Sequence, residues 1–449
     1  MDKDELRLAA ETVVQTLRNN GFTAYFAGGC VRDMLMGRTP KDYDIASNAL
    51  PEQVIELFDH FHEIGKAFGV VQVMVTGHGF EVATFRQDMD YRDGRHPGRI
   101  EPSNPQHDAE RRDFTINGMF YDPTEKKIID FVGGQNDLKA GIVRAIGDPN
   151  TRFSEDHLRM MRAIRFAGTL GFEIDPATFS AIQKNAETIC RVSMERINTE
   201  LTRTLLESVK PGDALELLRT SGLLGQIIPE ALPMVGQEQP EQYHPEGDVW
   251  THVRIMLNMM NVRNPIVAFG ILFHDIGKPP TASFGPGNNG EMRIRFNGHP
   301  EVGARMTEEI MRRLKFSNDT REAVVSLVAR HMRFMEVRNM RESTLRKFVA
   351  SPVFDDELEL HRVDCLSSHG HLDHHDFCKS YRKQFENEPV LPSPLISGSD
   401  LMTFGIPEGP EIGHWKKRTF EQQLEEPEWS REQLWNWVQE TFCKTNNGG

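Results

Sequence analysis

The segment Gly28-Gly29-Cys30-Val31-Arg32-Asp33 is followed, eight residues later, by Asp42-Tyr43-Asp44. Residues i and i+2 of a strand point to one face, so this spacing predicts that Asp42 and Asp44 present their carboxylates together. Two like charges side by side repel unless a divalent cation lies between them. Oxygen ligands suit Mg²⁺, which commonly takes one or two protein carboxylates plus substrate phosphates. Glycine backbone N–H groups at a helix start suit a triphosphate. The combination reads as metal-assisted nucleotidyl transfer. Taken singly, the glycine pair reads as an ordinary turn and the aspartates as a solvated pair.

The elements that must position these groups follow from the pattern of the chain. Leu6, Ala9, Val13 and Leu17 have helical spacing and end at Asn19-Asn20-Gly21, a helix stop. Thr23–Ala27, Val70–Val75, Glu81–Phe85 and Ile128–Val132 read as strands. From about Gly147-Asp148-Pro149 the pattern turns helical. The 449 residues exceed one ordinary core. The expected architecture is α+β: a head with a small mixed sheet at 1–150, a helical neck at 151–236, a helical body at 237–385 and a helical tail at 386–449. Gln237–Asp248 reads as a polar linker, and Gly285–Gly290 as a glycine-rich loop.

Hydrophobic content of 38% with 26% charged residues fits a water-soluble globular protein. The chain has no apolar run long enough for a membrane span and no apolar leader, and its five cysteines lack CxxC spacing. A cytoplasmic protein is expected. The net charge of −14 argues against indiscriminate nucleic-acid binding but leaves room for a confined basic surface.

Further candidates surround the opening motif. Glu81 is a third carboxylate or an exposed strand residue. Gln87–Glu110, almost purely polar with Arg92, Arg95 and Arg99, reads as a mobile loop. In Arg111-Arg112-Asp113-Phe114-Thr115-Ile116-Asn117 the arginines suit phosphates and Asn117 a sugar or base. Glu155 and Asp156 stand at helical spacing from Arg159, a set able to face a base edge or to form a helix-surface ion pair. Arg159, Arg162 and Arg165 then form a basic stripe suited to an RNA backbone.

In order and spacing these motifs, together with Glu195-Arg196-Ile197, resemble the class II tRNA nucleotidyltransferase and bacterial poly(A) polymerase family over about the first 230 residues. The resemblance implies that Asp42 and Asp44 are ligands of two Mg²⁺ ions. Gly28, Gly29 and Arg32 would cradle the triphosphate. Arg112, Asp113 and Asn117 would lie at ribose and phosphate. Asp156 and Arg159 would read the Watson–Crick edge of CTP or ATP, with Arg162, Arg165 and Arg196 toward nucleotide and RNA. Gln87–Glu110 would be the flexible element that changes specificity from C to A. The implied partner is tRNA.

A second constellation comprises His252, the pair His274-Asp275 within Phe273-His274-Asp275-Ile276-Gly277-Lys278, then His299, His331 and Asp364. Imidazole and carboxylate together suit Mn²⁺, Ni²⁺, Fe²⁺ or Zn²⁺. Adjacent His and Asp reach one ion at a helix bend. Residues 245–380 resemble the HD phosphohydrolase pattern, with metal ligands His252, His274, Asp275 and Asp364. In related tRNA nucleotidyltransferases such a domain implies metal-dependent phosphatase and 2′,3′-cyclic phosphodiesterase activity; the alternative is a helical body retained without chemistry. His369, His371, His374 and His375 read as a solvated loop.

Three functions remain open in the sequence. The leading one is CCA addition to tRNA. An A-adding enzyme or a poly(A) polymerase would use the same chemistry, though the nearly balanced charge of Trp415–Gly449 leans toward tRNA. The third is an HD phosphohydrolase with an inactive head.

Overall fold

The computed structural model describes residues 3–63, 69–89, 99–242, 244–286, 290 and 292–446. It comprises two compact units, Met1–Pro233 with Ile310–Phe316, and Met234–Glu309 with Ser317–Gly449. The first unit is a mixed α+β head followed by helices; the second is mostly helical.

Helix Lys3–Asn19 opens with Asp4 and Glu5 and closes near Arg18, charges that complement the helix dipole. It buries Ala9, Ala10, Val13, Val14 and Leu17 on one face. The strands of the head are β1 (Ala24–Ala27), β2 (Asp44–Ser47), β3 (Phe61–His62), β4 (Val70–Val75), β5 (His78–Thr84), β6 (Arg86–Met89), β7 (Arg99–Pro102), β8 (Phe120–Asp122) and β9 (Lys127–Ile129). Seven of them form one sheet in the order β3-β4-β5-β2-β1-β8-β9. All its pairs are antiparallel except β2 with β5.

The register explains the site. Ala27 of β1 pairs with both Asp44 of β2 and Phe120 of β8. The chain leaving β1 at Gly28-Gly29, the chain entering β2 at Asp42–Asp44 and the chain entering β8 after Asn117 therefore share one sheet edge. The parallel register Ile45↔Val82 sets Glu81 beside Asp44.

Two expectations for the head change. Asp44 begins a strand, but Asp42 precedes it, because the ladder ends where β1 turns into helix Gly29–Leu35. The described part of 87–110 is not a loop: β6 and β7 pair as a hairpin, and helix Pro105–Glu110 follows. Its four-residue strands are mostly polar and too short to show an apolar period, so backbone pairing defines them. The helix start was written in Asn104-Pro105, where Asn104 Oδ1 accepts from His107 N at 2.9 Å. Arg92 and Arg95 lie outside the described residues.

Beyond the head, Asp148 and Asp175 each cap a helix that begins with proline, Pro149–Glu155 and Pro176–Asn185. Helix Arg159–Leu170 crosses Pro211–Thr220 closely: a Cβ on Gly168 would lie 2.3 Å from Ser208 Oγ and 3.0 Å from Ala214 Cβ.

In the second unit, helix Pro265–Phe273 is apolar all round and buries every residue from Val267 to Phe273, the mark of a central helix. The glycine-rich segment expected as a loop is flanked by a hairpin, Ala282–Pro286 with Met292–Phe296. The final helices gather their own core from Ile396, Leu401, Ile406, Trp415, Leu434 and Val438. No helix among the described residues is long and apolar enough to cross a membrane.

Candidate active site and metal cluster

The shared sheet edge opens into a cleft of about 750 Å³ lined by Gly28, Gly29, Arg32, Asp42, Asp44, Arg112, Asp113, Asn117, Asp156, Arg159, Arg162, Arg165 and Arg196. All the site residues expected of the first unit thus come together except Glu81, which stands beside Asp44 on the sheet without lining the cleft.

Gly28 has φ 74°, a conformation that favours glycine. A Cβ there would approach Arg112 Nη1 to 2.9 Å and Asp44 Oδ2 to 4.0 Å, so glycine keeps open the space between a guanidinium and a carboxylate. Asp44 retains an exposed edge in the cleft. Its pKa is nevertheless pushed up to about 6, by loss of water first, then by the carboxylates of Asp42 and Glu81, against the pull of Arg112. Excess negative charge with oxygen donors is the condition a Mg²⁺-type cation relieves, so this site fits such an ion.

The arginines are held by a buried carboxylate scaffold. Asp108, 1% exposed, accepts from Arg111 through Oδ1 at 2.6 and 2.9 Å and from Arg112 through Oδ2 at 3.0 and 3.2 Å. Burial would raise Asp108, but Arg112 and Arg111 hold it below the ordinary carboxylate range. Arg32 Nη1 donates to Asn117 Oδ1 at 2.7 Å. Asp113 accepts from Asn117 Nδ2 at 3.2 Å and from Arg162 at 2.5 and 2.8 Å. Against the effect of burial, Arg162, Arg159 and Asn117 hold Asp113 at about 2.

The pair expected to read the base, Asp156 and Arg159, is built differently from the continuous helix its spacing suggested. The helix stops at Asp156, whose φ/ψ of −144°/107° is extended, and Arg159 begins the next one. Glu155 still pairs with Arg159 across the break. Asp156 accepts instead from Leu158 N at 3.1 Å and Arg196 Nη2 at 2.8 Å. The arginine stripe is likewise not a free cationic surface. Arg162 serves Asp113, Arg196 serves Asp156, and Arg165, 3% exposed, donates to the buried Glu200 at 2.7 Å.

In the second unit the donor atoms of His252, His274 and Asp275 lie within 4.8 Å of one another, as do those of Asp275, His299 and His331. All five residues are buried. Helix Pro265–Phe273 ends at His274, and the chain turns before helix Lys278–Thr281, so the expected bend presents His274 and Asp275 together. Asp364, on helix Phe354–Ser367, places Oδ1 3.1 Å from His252 Nε2. Gly277 admits no Cβ, which would lie 2.2 Å from the His299 carbonyl oxygen. That contact seats the turn against the helix carrying His299.

Hydrogen bonding fixes the imidazoles. Nδ1 of His274, His299 and His331 faces the carbonyl oxygens of Ile271, Phe296 and Val328 at 2.7–2.8 Å. A carbonyl only accepts, so each Nδ1 donates, and Nε2 is the nitrogen left to offer a lone pair when the ring is neutral. The Nε2 atoms of His299 and His331 nevertheless face each other at 3.1 Å. His274 Nε2 is buried without a hydrogen-bond partner, 3.1 Å from an Asp275 oxygen. Burial, followed by the charge of His274, depresses His331 to about 3, so its ring is neutral. Burial lowers the pKa of His299 as well. Lone pairs converging on a carboxylate fit a bound metal cation.

Lys278 Nζ also reaches Asp275 at 2.7 Å and Gln239 Oε1 at 2.6 Å. His252 is held at about 9; burial lowers it, but Asp364 and Glu246 raise it further. Of the four histidines read as a solvated loop, His369 and His371 are exposed, whereas His375 is buried on helix Asp373–Lys383.

Sequence reasoning missed Asp108 and Glu246. Asp108 stands three and four residues before Arg111 and Arg112 on a short helix, a readable spacing. Glu246 lies in Gln237–Asp248, whose polar composition reads as a linker.

Residues 24–144 match the Poly A polymerase head domain, 171–234 the Probable RNA and SrmB-binding site of polymerase A, and 247–352 the HD domain. A CCA-adding enzyme of Geobacillus sp. (strain WCH70) is 45% identical over 212 residues, 47% of this chain and 52% of that protein. The chain thus spans about half the length of the curated relatives it matches. Among solved structures, a Bacillus stearothermophilus CCA-adding enzyme in complex with CTP is 24% identical with a TM-score of 0.74, covering 98% of this chain and 99% of that one. A Thermotoga maritima CCA-adding enzyme complexed with tRNA is 20% identical with a TM-score of 0.61, covering 98% and 96%. The chain therefore matches, in one order, models of a Poly A polymerase head domain, a probable RNA and SrmB-binding site of polymerase A and an HD domain.

Proposed function

We propose that this chain is a template-independent tRNA nucleotidyltransferase that adds C, C and A from CTP and ATP to the tRNA 3′ end. The observation that carries the reading is the single cleft holding Gly28-Gly29, Asp42, Asp44, the arginines and the pair Asp156/Arg159. The names of the similar proteins, and their complexes with CTP and tRNA, support it.

Divalent cations held by Asp42 and Asp44 would polarise the 3′-hydroxyl and balance the charge of the departing pyrophosphate. Gly28 and Gly29 leave the backbone open to a triphosphate, and Arg32 and Arg112 supply its counter-charge. Asp108 fixes Arg112 before substrate arrives, so ordering costs little at the moment of reaction. Asp113 and Asn117 bind toward the ribose. Asp156 and Arg159 offer an acceptor and a donor to the base edge. Arg162 and Arg196 turn their remaining N–H groups to RNA phosphate, whereas Arg165 gives its charge to Glu200. Glu81 acts through Asp44 rather than on the nucleotide.

We assign 1–150 to the nucleotidyltransferase head, 151–236 to the neck, 237–385 to an HD-type domain and 386–449 to the tail. The HD cluster would hold a transition metal on His252, His274, Asp275 and Asp364, with His299 and His331 extending the set, and act as a phosphohydrolase or 2′,3′-cyclic phosphodiesterase. All five cysteines are free thiols, which suits a reducing cytoplasm.

The test uses the protein with Mg²⁺ and tRNA transcripts ending at the discriminator base, C, CC and CCA, with CTP and ATP singly and together. Growth of the first transcript to CCA and no further is expected. Addition of one A to the CC-ended transcript alone would mean an A-adding enzyme, and unbounded A-tails a poly(A) polymerase. No extension would refute the transferase reading.

A further inference from the structure

The segment Gln237–Asp248, which looked like a linker, instead delivers a carboxylate to the metal cluster. Asp248 caps helix Val249–Met259 by accepting from Thr251 N at 2.9 Å, and this fixes the chain just before it. Two residues earlier, Glu246 Oε1 lies 2.5 Å from His252 Nδ1 and 2.9 Å from His244 Nδ1. The His244 ring stands edge-on to the His252 ring, with centroids 4.9 Å apart. The other Glu246 oxygen is buried with no hydrogen-bond partner, so the side chain sits at some desolvation cost.

We propose that Glu246 is a positioning residue that locks the His252 ring with Nδ1–H toward itself and Nε2 toward the metal position beside Asp364. Both ring nitrogens face a carboxylate, Glu246 at Nδ1 and Asp364 at Nε2; once Nε2 and Asp364 are given to a metal, the ring proton stays at Nδ1, where Glu246 accepts it. The other three histidines of the cluster take that instruction from backbone carbonyls. His252 alone takes it from a charged group, and a charged acceptor makes the opposite nitrogen a stronger donor to a cation. His252 is therefore the ligand whose strength one side chain can tune. This inference rests on the HD cluster being a metal site.

The test is calorimetric titration of the full chain with Ni²⁺ alone, comparing wild type, His274→Ala, Glu246→Leu and Glu246→Gln, with tRNA extension measured on each. The expected result is loss of the tight Ni²⁺ phase in His274→Ala and roughly 10- to 100-fold weaker binding in Glu246→Leu. Glu246→Gln, which keeps an acceptor without its charge, falls in between, and extension is unchanged throughout. Should Glu246→Leu fail to fold, the Gln variant carries the test. Ni²⁺ binding by both Glu246 variants at wild-type strength would overturn the positioning role and leave the metal site standing. Wild type and His274→Ala binding Ni²⁺ alike would remove the site, and this inference with it.

Discussion

The cleft of the first unit and the cluster of the second both gather carboxylates, but they neutralise them in opposite ways. In the cleft the carboxylates meet arginines, glycine backbone and an open volume of about 750 Å³. In the cluster they meet four buried imidazoles, two of which, His299 and His331, bring their Nε2 atoms to 3.1 Å of each other. Oxygen donors beside an open, arginine-lined wall suit a hard ion carried in with a polyphosphate. Nitrogen donors with fixed tautomers suit a resident, softer ion. The contrast separates an open cleft suited to a large anionic substrate from a buried cluster suited to a metal ion.

Breaking either side of the contrast should leave the other intact. The largest effect is expected from Asp44→Ala, which should lower tRNA extension by more than about 10³-fold while Ni²⁺ binding at the histidine cluster stays unchanged. Loss of both together would show that the two sites are not separable.

A second difference concerns carboxylates without a metal role. Glu357, 3% exposed in the second unit, is pushed up to about 7 by burial, against the pull of Arg330 and Arg333. Between its ordinary value of 4.5 and 7 the folded chain binds more protons than the unfolded one, so stability falls as pH rises through that window. The contribution is on the order of 3 kcal/mol. Urea denaturation of the second unit's transition at pH 5 and 8 should show that loss, and Glu357→Gln should flatten it. An unchanged slope in the variant would assign the pH dependence elsewhere.

Asp108→Asn sharpens the account of the arginine wall. It removes the charge that holds two guanidiniums and should lower kcat/KM for CTP and ATP roughly 10- to 100-fold, mainly through KM. Stability should fall by about 1–3 kcal/mol. A change in stability with unaltered KM would make Asp108 structural only. The smallest effect is expected at Glu81. Glu81→Gln should change extension by less than about tenfold, since that side chain acts on Asp44 through space rather than on substrate. A loss as large as that of Asp44→Ala would instead make it a direct ligand.

Much of the cleft was readable because its chemistry demands particular residue types in a fixed order. Gly28-Gly29, Asp42/Asp44 and the arginine motif could be named before any strand was paired. Their convergence could not, since it depends on Ala27 pairing with Asp44 on one side and Phe120 on the other. The helix break at Asp156 was hidden because Glu155 and Arg159 keep helical spacing across it. Glu246 and Glu200 were invisible for a related reason: each matters through a partner brought near only by folding, His252 and Arg165. The hairpin β6–β7 escaped notice because its four-residue, mostly polar strands are too short to show an apolar period.

The central claim is tested most directly by following CTP- and ATP-dependent growth of a tRNA transcript ending at the discriminator base, with wild type, Asp42→Ala and Asp275→Ala side by side. The account predicts growth to CCA by wild type and Asp275→Ala, and none by Asp42→Ala. Extension by Asp42→Ala at the wild-type rate would contradict it, as would a wild type that adds nothing.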